Sequence, residues 1–336
     1  MDFSAYKGIY VTAVLKEGHL QRVTGELLGA ARTLAEKLGQ HVAAVLLGHS
    51  VKDAAAELIS LGADKVYVMD SPLLAHYDGK AYQKALAGFL KEAKPDIVMF
   101  GATSIGRDLA PRVAAELVCG VTADVTELSV DDRKGLVVWS RPAMGGNIMA
   151  DIISPNFRPQ VGTVRPGTFP LPERDENRSG EVIEVEARLG EDDLGTVLKE
   201  VIQGQTQENP LEDAEIIVAG GRGIQSRGEW ELVRRLAELL GAAVGCSRPI
   251  AELGWEDKSR QIGQTGKSVN PRVYIALGIS GAMQHMSGVN ADVVVAVNKD
   301  GAAPIMEIAD YAVEADLKGF LPALIKKLSL LKTAKS

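Results

Sequence analysis

"AEIIVAGGRGIQSRGEWELVRRLAELLGAAVGCSRP" (residues 214–249) holds an apolar run, a glycine turn, an amphipathic stretch, a glycine and a second apolar run. The order predicts a strand over 214–221, a helix from Trp230 to Leu240, Gly241 as its C-cap and a strand over 242–249. Two strands joined through a helix lie parallel in one sheet. The pattern continues with "GQTGKSVNPRVYIALGISGAMQH" (263–285), "ADVVVAVNKD" (291–300), "APIMEIADYAVEAD" (303–316) and a helix over 317–331. Upstream, "IYVTAVL" (9–15), "VAAVLL" (42–47), "KVYVM" (65–69) and "DIVMFG" (96–101) alternate with helical segments 20–38, 52–61, 80–93 and 105–117. The expected fold class is α/β with two domains: an N-terminal nucleotide-binding-like parallel sheet, 1–207, and a C-terminal doubly wound parallel sheet, 208–336. The shorter runs "LVVWSR" (136–141), "NIMADIIS" (147–154) and "PQVGTVR" (159–165) are expected to extend the first sheet's edge. The charged stretch 171–213, with one strand in "EVIEVEA" (181–187), reads as the crossing between domains, the boundary falling near Gln205–Pro210.

With 46% hydrophobic and 24% charged residues the composition is that of a globular protein. A net charge of −7 and the lack of a Lys/Arg stripe argue against a nucleic-acid partner. No apolar run reaches spanning length and the first residues lack a secretory or transit pattern, so a cytoplasmic protein without a membrane span is expected. Cys119 and Cys246 lie far apart and outside any CxxC, which suggests neither a disulfide framework nor a zinc site.

Five turns of the second domain are expected at the carboxyl ends of strands: Gly220–Gly223, Cys246–Pro249, Gly263–Gly266, Gly278–His285 and Asn298–Asp300. In a parallel sheet such turns share one edge and converge on one crevice. Glycine turns that open toward helices offer backbone amides to an anion. Neither "GGRGI" nor "ALGISG" is a dinucleotide fingerprint, and the glycine spacing of "GQTGKS" is too short for a Walker A loop. Arg222 and Arg248 suit pyrophosphate or the edge of a flat ring, or else surface ion pairs. His285 can be a polar residue at a helix start, Asn298 a turn residue and Asp316 a helix N-cap. Cys246 reads as a small buried apolar residue.

Together "GGRGI", "CSRP", "QIGQTGKSVNPRVYIALGISGAMQH", "AVNKD" and "DYAVEADL" resemble, in order and spacing, the α subunit of electron-transfer flavoproteins; "FGATSIGRDLAPRVA" and "RPAMGGNIMADIISPNFRPQVGTVRPGTF" extend the resemblance over the first half. It implies that the second domain holds FAD. Arg222 is then expected near the pyrophosphate or ribityl region, with Ser247 and Arg248 at the pyrophosphate and the isoalloxazine. Gly263, Gln264 and Thr265 would line the ring, the Thr265 hydroxyl reaching N5. Gly278, Ser280, Gly281, Ala282, Gln284 and His285 would follow the ribityl chain and diphosphate, with His285 near O2. Asn298, Asp316 and Leu317 would hold the adenosine half. Arg248, Thr265 and His285 would tune the flavin, a cation and a donor favouring its one-electron-reduced anion.

The resemblance further implies a heterodimer with a β subunit that docks on the first domain and carries AMP or a second FAD. The implied redox partners are a flavoprotein such as an acyl-CoA dehydrogenase of fatty acid β-oxidation and a quinone-reducing or iron–sulfur acceptor. Rotation is expected about Gln205–Pro210. Two alternatives stay open: an electron-bifurcating complex that oxidises NADH at a second FAD in the β subunit, and a non-redox adenine-nucleotide-binding regulatory module.

Overall fold

The computed structural model describes residues 3–16, 18–131, 133–143, 148–200, 211 and 214–333. The chain divides into two compact units, Met1–Val201 and Ile202–Ser336. The expected boundary and hinge at Gln205–Pro210 lie outside the described residues.

Among the described residues the first unit runs β1 (Ile9–Lys16), β2 (His19–Leu20), α1 (Arg22–Leu38), β3 (Val42–Gly48), α2 (Ala54–Ser60), β4 (Lys65–Asp70), α3 (Gly79–Ala93), β5 (Ile97–Gly101), α4 (Ser104–Glu116) and β6 (Val121–Val125), then β7 (Glu127–Asp131), β8 (Leu136–Ala143), β9 (Ile148–Ile152), β10 (Gln160–Val164) and β11 (Glu181–Glu184). Its main sheet has the order β11-β4-β3-β1-β5-β10-β6, with β2 antiparallel to β1. The central strands are apolar on both faces: Ile9, Val11 and Ala13 pack with α1 and α2, whereas Tyr10, Val45 and Val98 pack with α3 and α4.

Two expectations for this half are corrected. The runs after α4 do not extend the sheet's edge: β10 inserts between β5 and β6, and β7-β8-β9 form a separate antiparallel sheet. The reason is visible at Gly162 of β10, where an added Cβ would fall 2.3 Å from the Trp139 ring of β8. The fully buried indole thus covers the one position of the strand that has no side chain. The supposed crossing also contributes structure, because β11 pairs in parallel with β4 as the opposite edge strand.

The second unit comprises β12 (Ile216–Gly220), α5 (Arg227–Leu240), β13 (Ala243–Cys246), α6 (Arg248–Glu252), β14 (Val273–Leu277), α7 (Met283–Met286), β15 (Val293–Asn298), α8 (Pro304–Ile308), β16 (Tyr311–Glu314) and α9 (Leu317–Thr333). All neighbours in its sheet, β13-β12-β14-β15-β16, are parallel. One face packs on α5 and α9 through Val218, Trp230, Val233 and Leu321; the other buries Ile217, Ala219, Tyr274 and Ala276. Helix α5 begins three residues before the expected Trp230. Its N-cap Ser226 accepts from the Glu229 N–H at 3.2 Å and Glu229 returns a bond from the Gln225 N–H at 2.8 Å, a local signal for an earlier start. At the other end Gly241, at φ 63°, closes the helix.

Two glycines of this unit should respond in opposite directions to alanine. A methyl on Gly220 would meet the Trp230 ring at 2.4 Å, so Gly220→Ala is expected to cost about 1–3 kcal/mol by overpacking. Gly228 is an exposed residue of α5 whose added Cβ meets only Ser226 Oγ at 3.9 Å, and Gly228→Ala should stabilise by about 0.5–1 kcal/mol. Urea unfolding followed by tryptophan fluorescence checks both, and equal shifts would contradict this packing.

Candidate functional site

Because every pair in the second sheet is parallel, the carboxyl ends of its strands share one edge. The chain runs outward from β12 to β13 and then crosses back to β14, so the topological switch lies between β12 and β14, where ligands bind in open α/β sheets. There the Gly220–Gly223 and Gly278–Ala282 turns meet backbone on backbone. The Gly221 N–H donates to Leu277 O at 2.9 Å and the Gly223 N–H to Gly278 O at 2.9 Å. A Cβ on Gly223 would sit 2.7 Å from Gly278 Cα, and Gly278 has φ 62°, so both positions need glycine.

The second turn is tied down further out. Ser280 O accepts from the Ile305 N–H at 3.1 Å, and Gly281, at φ 84°, leaves no room for a Cβ beside Ile305 N. Asn298 is buried at the end of β15, its Nδ2 donating to Ile279 O at 3.0 Å and its Oδ1 accepting from the Asp300 N–H at 3.0 Å. With these anchors in place, the N–H groups of Ser280, Gly281 and Ala282 face no protein acceptor among the described residues. Arg222 projects from the neighbouring turn, exposed and without an ion pair among the described residues. This donor set fits an anion.

The Gly263–Gly266 turn joins by a different route than expected. It does not follow a full strand, since Gln261 makes only a parallel bridge to Cys246 and Ile262 one to Lys267. Gly263, at φ 133°, packs against Gln284 O and His285 Cα, and the Gln264 N–H donates to Gln284 O at 2.7 Å. This brings Gln264, Thr265, Gln284 and His285 into one wall. Gln261, which sequence reasoning missed, is 4% exposed and donates through Nε2 to Thr265 Oγ1 at 3.0 Å. Beside it opens a cavity of about 430 Å³ lined by Arg248, Ala251, Glu252, Lys258, Gln261 and Thr265.

Arg248 begins α6 after the buried Ser247, but its guanidinium is not a lone cation. Nε donates to Glu252 Oε1 at 2.7 Å, an exposed i,i+4 pair that the spacing R-x-x-x-E could have revealed. Asp316 caps α9, its Oδ1 accepting from the Lys318 N–H at 2.9 Å. Leu317 is buried against Gly278, with Cδ1 3.1 Å from a Cβ built there. Cys246 is fully buried, and desolvation, aided by the Glu256 charge, pushes its thiol up to about 12. It is an inert core residue.

His285 is 8% exposed. Its Nε2 lies 2.7 Å from the hydroxyl of Tyr274, a wholly buried strand residue also missed in the sequence, although a tyrosine on an apolar strand needs a partner for its hydroxyl. Nδ1 is buried without a hydrogen-bond partner. Burial takes the His285 pKa down to about 4, against an opposing pull from the Ile262 backbone, so the ring is neutral at pH 7.

The first unit has its own switch point, between β1 and β5, where a cavity of about 20 Å³ is lined by residues that include Thr12, Thr24 and Thr103. That is room for about one water molecule.

Residues 10–189 match the family described as the electron transfer flavoprotein domain, and residues 210–290 match the electron transfer flavoprotein FAD-binding domain. The chain is 49% identical over 331 residues to an electron transfer flavoprotein subunit alpha of Megasphaera elsdenii, covering 98% of each. It is 46% identical to a protein of the same description from Thermoanaerobacterium thermosaccharolyticum, over 97% of this chain and 99% of the relative. Identity is 39% to an acryloyl-CoA reductase electron transfer subunit beta of Anaerotignum propionicum, over 99% and 98%.

The buried histidine makes a pH prediction. Its folded pKa of about 4 lies below the unfolded value of 6.5. As pH falls the unfolded chain binds the proton first, so this residue's contribution is fully present above about pH 6.5 and is lost as pH drops toward 4. The loss is on the order of 3 kcal/mol. Urea midpoints of the wild type and His285→Gln should differ in pH slope across that window; parallel slopes would show that the ring is not buried neutral.

Proposed function

The chain belongs to the electron transfer flavoprotein family as an α subunit, and from that premise we propose that it binds one FAD in the second unit's crevice and passes electrons one at a time between protein partners. The observation that supports this reading is the cradle of N–H groups at Ser280, Gly281 and Ala282, unpartnered among the described residues, beside the Arg222 cation, which forms no ion pair among them. A diphosphate needs such a cradle. Bound flavin supplies a ring that accepts and releases single electrons. The chain's residues supply its binding and its charge environment.

In this reading Arg222 and the Gly278–Ala282 turn hold the diphosphate, with Ser247 at the same level across the switch point. Asn298 and Leu317 shape the adenosine side, Asn298 chiefly by holding the Ile279 carbonyl, and Asp316 by starting α9. Gly263, Gln264 and Thr265 line the ring, and Gln261 fixes the Thr265 hydroxyl. Gln284 accepts from Gln264 and keeps the two loops together. His285 donates or accepts a hydrogen bond without adding charge, because it is neutral. Positive charge at the ring comes from Arg248 and Lys258, and Glu252 moderates it.

The implied assembly is a cytoplasmic heterodimer with a β subunit, docked on the first unit, that carries AMP or a second FAD. A flavoprotein such as an acyl-CoA dehydrogenase is the proposed donor, and a quinone-reducing or iron–sulfur protein the acceptor. Similarity to the electron transfer subunit of a reductase of a CoA thioester favours keeping a second reading, in which electrons run toward the thioester from NADH in a bifurcating complex. No helix among the described residues is long and apolar enough to cross a membrane.

Co-purification with its β subunit, release and counting of flavin, and addition of NADH separate these readings. One FAD per heterodimer without bleaching by NADH supports the carrier, two with bleaching support bifurcation, and none after supply of FAD refutes both. In the loaded complex Arg248→Ala should lower the first reduction potential by about 60–130 mV, the equivalent of one charge-assisted hydrogen bond. Glu252→Gln should raise it, since it leaves the guanidinium uncompensated. Spectroelectrochemical titration reads both, and an unmoved potential in either variant removes the pair from the ring's environment.

A further inference from the structure

We propose that Asp78 is the anchor of the connection between the two units: its carboxylate caps α3 and at the same time clasps Gly195 and Thr196, so that the chain is released from the first unit only after Thr196. Residues 171–196 are polar in sequence yet attached to the first unit along their length. The Asp175 N–H donates to Ser60 O at 3.0 Å, and Arg178 Nη2 to Asp64 Oδ1 at 2.7 Å. Next β11 pairs with β4, and beyond it Ala187 and Leu189 pack on the core formed with α3 and α4. After Leu189 come two exposed lysine contacts, Lys84 Nζ to Asp193 Oδ1 at 2.6 Å and Lys80 Nζ to Asp192 O at 3.0 Å, and then Asp78. Exposed contacts of this kind hold little. Asp78 is buried, at 7% exposed.

Two sets of donors meet on this one carboxylate. Oδ1 accepts from the Lys80 and Ala81 N–H groups, each at 3.0 Å, which satisfies the first turn of α3. Oδ2 accepts from the Thr196 N–H at 3.0 Å and from Thr196 Oγ1 at 2.7 Å, and the Gly195 N–H reaches both oxygens at 3.1 Å. Burial alone would raise the Asp78 pKa; these bonds outweigh it and hold the carboxyl down to about 2, so the clasp is charged at pH 7. Past it the chain changes character. Residues 197–200 are exposed and form no hydrogen bond among the described residues, and the next described residue, Leu211, lies in the core of the second unit. Without the clasp the connection would begin near residue 190 instead of 197. The length of a connection governs how readily the module it carries meets a partner site.

The consequence for electron transfer rests on the FAD reading; the anchor does not. Hydrogen exchange of the heterodimer, followed by mass spectrometry, compares the wild type with two variants. Asp78→Ser keeps a capping oxygen for α3 but no longer reaches Thr196. Thr196→Pro removes both Thr196 donors and leaves the cap untouched. In the wild type the amides of 190–196 should exchange more slowly than those of 197–200. Both variants should speed exchange over 190–196 about tenfold, the equivalent of one charge-assisted hydrogen bond, while β11 protection and flavin content stay at wild-type values. Wild-type exchange over 190–196 as fast as over 197–200 overturns the proposal, as does unchanged protection in Thr196→Pro. Should Asp78→Ser not fold, Thr196→Pro decides alone. A heterodimer that binds no flavin yet loses this protection in Thr196→Pro refutes the cofactor reading and leaves the anchor standing.

Discussion

The backbone of Gly223 rests directly on the backbone of Gly278, and the second unit's crevice depends on that contact. The two residues follow adjacent parallel strands whose chain paths part at the topological switch. A methyl on either would fall within 2.8 Å of the other's Cα. Side chains there would push the turns apart and break the Gly223-to-Gly278 hydrogen bond. Glycine is costly in a turn that could take another residue, because it gives the unfolded chain extra freedom. Here the close approach requires it. The same logic recurs at Gly263 against Gln284 and at Gly281 against Ile305, so three loops are packed without side chains between them.

On that rigid frame the charges are placed unevenly. The chain as a whole is acidic, at −7. The crevice nevertheless presents Arg222 at one turn and Arg248 with Lys258 around the larger cavity. Glu252 pairs with Arg248 where both side chains are exposed, so the bond is weak and exchangeable. An anionic ligand can compete for the guanidinium at little cost. The first unit shows the contrast. Its sheet has an equivalent switch point, but Thr12, Thr24 and Thr103 close around a water-sized space, and no cation among the described residues lines it.

Much of this was legible in the sequence, and the failures have physical causes. The alternation of buried runs with amphipathic helices specified both parallel sheets, because strands covered on two faces must be apolar throughout. The glycine turns pointed to one edge for the same reason. Order along the chain does not disclose order in the sheet: β10 looks like one more short strand until Gly162 is seen under Trp139, a contact between residues 23 positions apart. Likewise the Leu171–Asp213 stretch reads as linker because its composition is polar, yet β11 needs only one paired edge to belong to the sheet. At the site the turn residues were visible. Gln261, Glu252 and Tyr274 were not, since each acts by holding a neighbour, and local spacing reveals that only for the helical pair Arg248–Glu252.

What the buried groups share is a refusal to titrate. The thiol of Cys246 is held up near 12 and the Tyr274 phenol higher still, by the desolvation that also drops His285 to about 4. Between those limits none of the three gains or loses a proton, so the hydrogen-bond pattern they set is the same across the physiological range. A group poised near pH 7 would serve proton transfer. One frozen in a single protonation state serves a different end: it presents the same dipole before and after an electron arrives, and nothing in the wall must rearrange when the charge changes. Preorganised dipoles of this kind lower the cost of charge movement because they need no reorientation at the moment it occurs. The packing that excludes side chains from the glycine turns and the packing that excludes water from Tyr274 and His285 are therefore one design feature, and a wall so fixed is suited to the electron transfer for which the family is named.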